Sequence, residues 1–356
     1  MKKILLFIFL LGLTISLNAQ KKVAYITFQK TMDATGTPAT TVQNDPIIQM
    51  LNNDPNLLVT VKVLTAVTAT EVIPDLATYD VIIVQESFSG AAGILTPAGA
   101  LALKTIPKPF IYNKCYALQK TRALTTATST GAGKEADGTV AGGTLLINVE
   151  TSQLTNDLFK ACTINANNQI QLFNALSTDA GLLAATTSTK AINYNTGLTA
   201  IPGTLLAQPA VLNAGLPVSV CVNDIPAGTA IDGTETTISR GIFVGMNFGA
   251  ISANGGKNIT DDCLTIWRNA VYMLAGLTVP NTKPVIKTGI NNPKSLTTFS
   301  FDGKVVRNKN FETINVYNVT GKLISTSNND IDISNLVNGV YFIKGQNNTL
   351  KVNILR

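Results

Sequence analysis

Two short polar runs close two apolar ones. Gln85-Glu86-Ser87 follows Tyr79-Asp80-Val81-Ile82-Ile83-Val84, and Asn113-Lys114-Cys115-Tyr116 follows Pro109-Phe110-Ile111-Tyr112. A carboxylate, a hydroxyl, an ammonium and a thiol are groups from which acid–base and nucleophilic chemistry is built. Glu86 could serve as a base toward Cys115 or Ser87, and Lys114 could lower the pKa of the Cys115 thiol. The chain contains no histidine, so the imidazole that ordinarily takes the proton of such a nucleophile is missing. The Gly-x-Ser-x-Gly frame of a nucleophile elbow is missing too. The competing readings are a disulfide or inert buried thiol for Cys115, and a capping serine beside a solvated carboxylate for Ser87 and Glu86.

Other groups carry less. Asp261-Asp262 has no third carboxylate nearby in sequence and suits a helix start, where acidic charge complements the dipole. Gly131-Ala132-Gly133-Lys134 and Gly255-Gly256-Lys257 lack the strand and spacing of a phosphate loop and read as flexible loops. Without histidine, a transition-metal site would rest on thiolates and carboxylates alone, so no metal and no cofactor are expected. Cys115, Cys162, Cys221 and Cys263 are an even set in a chain that reads as exported, which favours two disulfides with the connectivity open.

The net charge of +6 is unevenly spread. Residues 283–356 hold ten Lys and Arg against four Asp and Glu, and 21–282 hold 15 against 17. A body with that balance offers no footprint for a polyanion, so no nucleic acid is expected as a partner. With 45% hydrophobic and 13% charged residues, the body can build one sizeable core.

The elements that would position these groups alternate. Lys22 to Phe28, Leu57 to Leu64, Tyr79 to Gln85 and Pro109 to Asn113 read as strands. Asp45-Pro46 opens a helix with Asp as cap and Pro in the first turn, and Thr70 to Leu76 and Pro97 to Lys104 read as further helices. Strand–helix alternation implies right-handed crossovers and a parallel sheet. In such sheets the ligand crevice lies at the carboxyl ends of the strands, which is where Glu86, Ser87 and Cys115 fall. Residues 121–143 read as a long excursion, and Thr178 to Gln208 has no clear period. Thr144 to Val149, Gln169 to Phe173, Pro217 to Val222 and Gly241 to Phe248 are further strand candidates. Cys263 to Leu274 is the clearest helix, with Leu264, Trp267, Ala270, Val271 and Leu274 on one face and Gly276 as its stop.

The last fifty-odd residues read as a small antiparallel sandwich. Val316-Tyr317 and Leu323-Ile324 flank Asn318-Val319-Thr320-Gly321, a hairpin turn signal, and Asn338-Gly339 opens a second pair, Val340 to Ile343 and Leu350 to Leu355. Val316-Tyr317-Asn318-x-x-Gly321-Lys322, then Asp332-Ile333-Ser334-x-Leu336-x-x-Gly339-Val340-Tyr341, then a Lys-bearing last strand resemble the type A carboxy-terminal sorting domain of type IX secretion cargo, over residues 291–356. Tyr317, Gly321, Lys322, Gly339 and Tyr341 carry the resemblance. It implies passage across the outer membrane through the type IX machinery, removal of the tail, and attachment to surface lipopolysaccharide in many cargoes. The amino terminus agrees. Lys2-Lys3, an apolar run from Ile4 to Leu17 and a small residue at Ala19 form a signal peptide for the general secretory translocon. The run is too short to span a bilayer core of about 30 Å comfortably, and the mature protein is expected to be soluble, reaching the medium or the cell surface through the periplasm.

The body resembles the class I glutamine amidotransferase-like superfold, in particular its ThuA-like branch. The resemblance rests on Asp80-Val81-Ile82-Ile83-Val84, Lys108-Pro109-Phe110-Ile111-Tyr112, and Gly241-Ile242-Phe243-Val244-Gly245-Met246-Asn247-Phe248 before a helix bearing Asn269-Ala270-Val271-Tyr272-Met273-Leu274. The expected fold is α/β, a mostly parallel flavodoxin-like sheet with flanking helices, followed by a small all-β sandwich tail. The expected organisation is a signal peptide at 1–19, the α/β domain at 20–279, a linker at 280–293 and the sorting domain at 294–356. The preferred reading is an exported protein whose degenerate domain binds a ligand, a glycan being one candidate, without His-dependent catalysis. Tyr112, Tyr116 and Trp267 are candidates for stacking. The alternatives are an extracellular hydrolase of carbohydrate or amide using Glu86 with Cys115 or Ser87, and a structural or adhesive surface protein.

Overall fold

Strand β1 (Lys21–Phe28) is buried from Val23 to Thr27 because both of its faces are covered there. Val23 and Tyr25 pack into one buried cluster, and Ala24 and Ile26 into another. The same division runs through β3 (Val81–Val84), β4 (Phe110–Tyr112) and β11 (Gly241–Val244). The computed structural model describes residues 20–28, 45–90, 92–115, 145–178, 181–183, 191–196, 202–211, 218–230, 236–284, 299–301, 304–308, 313–345 and 349–354. The expected signal peptide, the excursion at 121–143 and Tyr116 lie outside the described residues. The chain divides into two units, Met1–Ile286 and Lys287–Arg356.

The first unit is built on a nine-stranded sheet. With β2 (Leu57–Leu64), β5 (Leu146–Val149), β6 (Gln169–Gln171), β8 (Thr204–Pro209) and β10 (Val222–Ile225), its order is β2-β1-β3-β4-β11-β10-β8-β5-β6, and β7 (Asn195–Thr196) pairs β9 (Val218–Val220) apart from it. The first five strands are parallel neighbours. From β11 outward every pairing is antiparallel. The expected mostly parallel sheet is therefore corrected to a mixed one, and across the chain antiparallel pairings predominate. The reason lies in the connection. A parallel step needs the chain to cross the sheet, whereas the segment between β10 and β11 folds back at the antiparallel bridge Ala230–Thr236 and returns the chain beside β10.

Helices are few. Helix α1 (Pro46–Asn52) starts where Asp45 accepts from the Ile47 and Ile48 N–H groups. Helix α2 (Phe248–Ser252) is a single turn, and α3 (Asp261–Ala275) is capped by the Thr260 hydroxyl and stopped by Gly276 at φ +68°. Trp267 is fully buried, as core rather than as a stacking surface. The helices expected at Thr70 to Leu76 and Pro97 to Lys104 do not form. Both segments are successions of turns, with one short 3-10 turn at Leu76–Thr78. Thr96 and Thr105 hydroxyls donate to the Gly93 and Gly99 carbonyls, the local competition that makes such residues poor helix interiors. A Cβ on Gly99 would come 2.1 Å from the Ile94 carbonyl oxygen, so this close turn needs glycine. Ile94, Leu95, Leu101, Leu103 and Ile106 nevertheless cover one face of the sheet, while α1 and α3 cover the other.

No disulfide joins the four cysteines, which corrects the expected pair. Instead they pack as small apolar side chains, three of them fully buried. The Cys162 thiol, beside the Asp262 carbonyl, is pushed up to about 12, chiefly by burial and then by the Asp262 charge.

The second unit has β12 (Phe299–Phe301), β13 (Val305–Asn308) and β16 (Ile331–Asp332) in one sheet, and β14 (Ile314–Asn318), β15 (Leu323–Ser327), β17 (Gly339–Lys344) and β18 (Thr349–Ile354) in another, ordered β15-β14-β17-β18. Inward residues of both sheets share one core, including Val306, Ile331, Val316, Ile343 and Val352. This is the expected small β-sandwich tail.

Candidate site at the carboxyl ends of the parallel strands

β3 and β4 are direct neighbours, with Val84 opposite Tyr112, so the polar runs after them meet. Gln85 lies at the centre of a fully buried chain of hydrogen bonds. Its Nε2 donates to the Tyr25 hydroxyl at 2.5 Å, and the hydroxyl donates to Asp45 Oδ2 at 2.5 Å. Its Oε1 accepts from Asn113 Nδ2 at 2.6 Å and from the Glu86 N–H at 2.7 Å. Asn113 Oδ1 in turn accepts from the Met246 N–H at 2.8 Å. These side chains tie β1 to the ends of β3, β4 and β11 and to the start of α1.

Asp45 is the titratable member of this chain. Burial raises its carboxyl to about 6 against the three hydrogen bonds that favour its charge. Burial and the Asp45 charge push the Tyr25 hydroxyl well above its ordinary range.

The sequence-selected residues are held as follows. Glu86 Oε1 pairs with the Lys114 ammonium, both side chains being nearly buried, and Oε2 accepts from the Phe248 N–H at 3.0 Å. Both carboxylate oxygens are thus engaged, one by an ion pair and one by the first N–H of α2. Ser87 Oγ accepts from the Phe28 N–H at 2.9 Å and lies 2.9 Å from Thr27 Oγ1. Cys115 is 1% exposed, and its carbonyl accepts from Asn195 Nδ2 at 3.3 Å. Tyr112, a sequence candidate for stacking, is instead buried against Phe110 and Phe243. Asp262 receives Lys283 at 2.6 Å and the Thr163 N–H at 2.8 Å, a fold-stabilising role. Among the described residues, no group of three or more His, Cys, Asp or Glu side chains could hold a metal ion.

Sequence reasoning missed the segment 191–196, which falls in the stretch without a period. It runs beside the end of β11, with the Asn193 N–H donating to the Gly245 carbonyl at 2.8 Å and the Asn247 N–H to the Ala191 carbonyl at 2.9 Å. Gly245 makes that approach possible, since a Cβ there would lie 1.8 Å from the Asn193 carbonyl oxygen. Asn193 and Asn195 are 1% and 0% exposed, and among the described residues the Oδ1 of each has no hydrogen-bond partner. An unmet buried acceptor costs about 1–3 kcal/mol, so a pair of them at this end of the sheet is a chemical feature in its own right. Tyr25 and Asp45 were legible as a strand residue and a helix cap but not as network members.

Residues 291–354 match the model of the secretion system C-terminal sorting domain. No curated protein matches the chain. The tail marks the protein for the type IX secretion machinery, which takes it through the periplasm to the medium or the outer cell surface. Among the described residues, no helix is long and apolar enough to cross a membrane.

Proposed function

We propose that this type IX cargo is a ligand-binding protein of the cell exterior, with a degenerate amidotransferase-like body that performs no His-dependent catalysis. The observation that carries the reading is the nearly buried ion pair of Glu86 with Lys114. A base must reach the proton it takes, and the Glu86 side chain, nearly buried, is turned toward the Lys114 ammonium and the Phe248 N–H, which together stabilise its charged form. Cys115 is buried, Ser87 is bonded toward β1, and the chain has no histidine. The amidotransferase-like reading is supported by the run of parallel strands ending in β11 and followed by α3. The antiparallel extension β10-β8-β5-β6 departs from it.

The ligand class follows from what the carboxyl end lacks. The Asn193 and Asn195 oxygens, unmet among the described residues, accept hydrogen bonds and repel anions; they are buried, so binding requires the segment 191–196 to open, and the ligand they suit is neutral and rich in hydroxyl donors, such as a glycan. After export the tail is removed, and the body is released or attached to surface lipopolysaccharide.

The test applies the purified full-length chain to a glycan array and assays the bound glycans for turnover. Retention without product, weakened by Asn195→Ala, is the expected result. Product release that disappears in Glu86→Gln would replace this reading with the hydrolase.

A further inference from the structure

The larger sheet of the tail sorts its side chains by face. Ile314, Val316, Tyr341, Ile343, Val352 and Ile354 enter the tail's core. On the opposite face, Leu323 lies across from Tyr317, Tyr317 from Phe342, and Phe342 from Lys351. Directly opposed residues share a face, so an aliphatic, two aromatics and a cation form one row across all four strands. The row includes Leu323 because the β14–β15 register shifts between Val316 and Tyr317.

This row is open. Leu323 is 50% and Phe342 36% exposed, and the sandwich core is complete without them. Within the four strands the charge has one sign. The sequences INVYN, LISTS, GVYFIK and TLKVNI contain two lysines, Lys344 and Lys351, and no acidic residue. A contiguous apolar and aromatic surface with a cationic rim is the form of an interaction site. It lies within residues 291–354, the segment that matches the sorting domain.

We infer that the Leu323–Tyr317–Phe342–Lys351 row is the surface by which the outer-membrane type IX machinery holds this chain, and that the machinery meets it with an apolar groove edged by carboxylates. The inference rests on the sorting role of the tail and adds to it the face that is read. Charge complementarity fixes the sign of the partner's rim, and the aromatic pair supplies contact area at low entropy cost.

The test follows the full-length chain in cells that carry the type IX system, comparing its periplasmic and external amounts. Three variants are compared with the parent: the pair Leu323→Ser with Phe342→Ser, the charge reversal Lys351→Glu, and Val319→Ser, which alters an exposed residue of the turn off the row. A chain lacking 291–354 is the reference. The expected result is an external fraction lowered at least about tenfold in the first two, with Val319→Ser like the parent and the thermal melt of purified Lys351→Glu unchanged. Parental export of both row variants, while the tail-less chain stays in the periplasm, would overturn the inference and leave the sorting reading intact. Export of the tail-less chain would instead overturn the sorting reading.

Discussion

The buried Asp45 predicts an inverted dependence of stability on pH. Its carboxyl stands at about 6 in the folded chain against 3.8 for the ordinary group, with burial as the main cause. A carboxyl raised on folding favours the neutral form, so its contribution is fully present below about 4 and is lost as the pH climbs through about 6. At about 1.4 kcal/mol per pH unit, the folded state should lose on the order of 3 kcal/mol across that window. The assay is urea unfolding of the purified chain at a series of pH values spanning it. Asp45→Asn isolates the effect, because the amide resembles the protonated acid: its Oδ1 can still accept from the Ile47 N–H, bonded at 2.9 Å in the parent, and its Nδ2 can donate to Tyr25. The variant should show a flatter profile and exceed the parent in stability above pH about 6. A parent profile that rises with pH, and a variant weaker than the parent at neutrality, would refute the reasoning and mean that the hydrogen bonds to Asp45 outweigh its burial.

Two further outcomes follow from the same geometry. Glu86→Gln leaves the Lys114 ammonium, 5% exposed, without its carboxylate, and should destabilise the body by about 3–5 kcal/mol in chemical unfolding; a change below about 1 kcal/mol would show that Lys114 finds solvent instead. Iodoacetamide at mildly alkaline pH should leave the folded chain unmodified, since Cys115, Cys221 and Cys263 are buried and the Cys162 thiol is held near 12. Unfolding without reductant should then expose four reactive thiols, and mass spectrometry showing fewer would mean that disulfides form after export.

The local elements were legible where one rule acted alone. Asp45-Pro46 marked α1, Asp261-Asp262 and Gly276 marked the ends of α3, and Asn318 to Gly321 marked the tail hairpin, because caps and turns depend on a few adjacent residues. Gly321 sits at φ +78° in that turn, as the motif requires. The strands after which Glu86 and Cys115 fall were equally clear from their continuous apolar runs. The turn-rich crossovers were not, because residues 94–103 have helical spacing of apolar side chains while Gly99, Pro97 and the threonines hold the backbone in turns.

What the sequence determined by itself is the protein's destination: a tail whose motif residues lie close together along the chain, where strand, turn and strand are read in order. What only the tertiary structure decided is the state of the candidate site. Whether Glu86 is a base or half of a buried ion pair depends on Lys114 and Phe248, which lie 28 and 162 positions away. Burial and hydrogen-bond partners are properties of the three-dimensional neighbourhood, which the order of residues along the chain does not display.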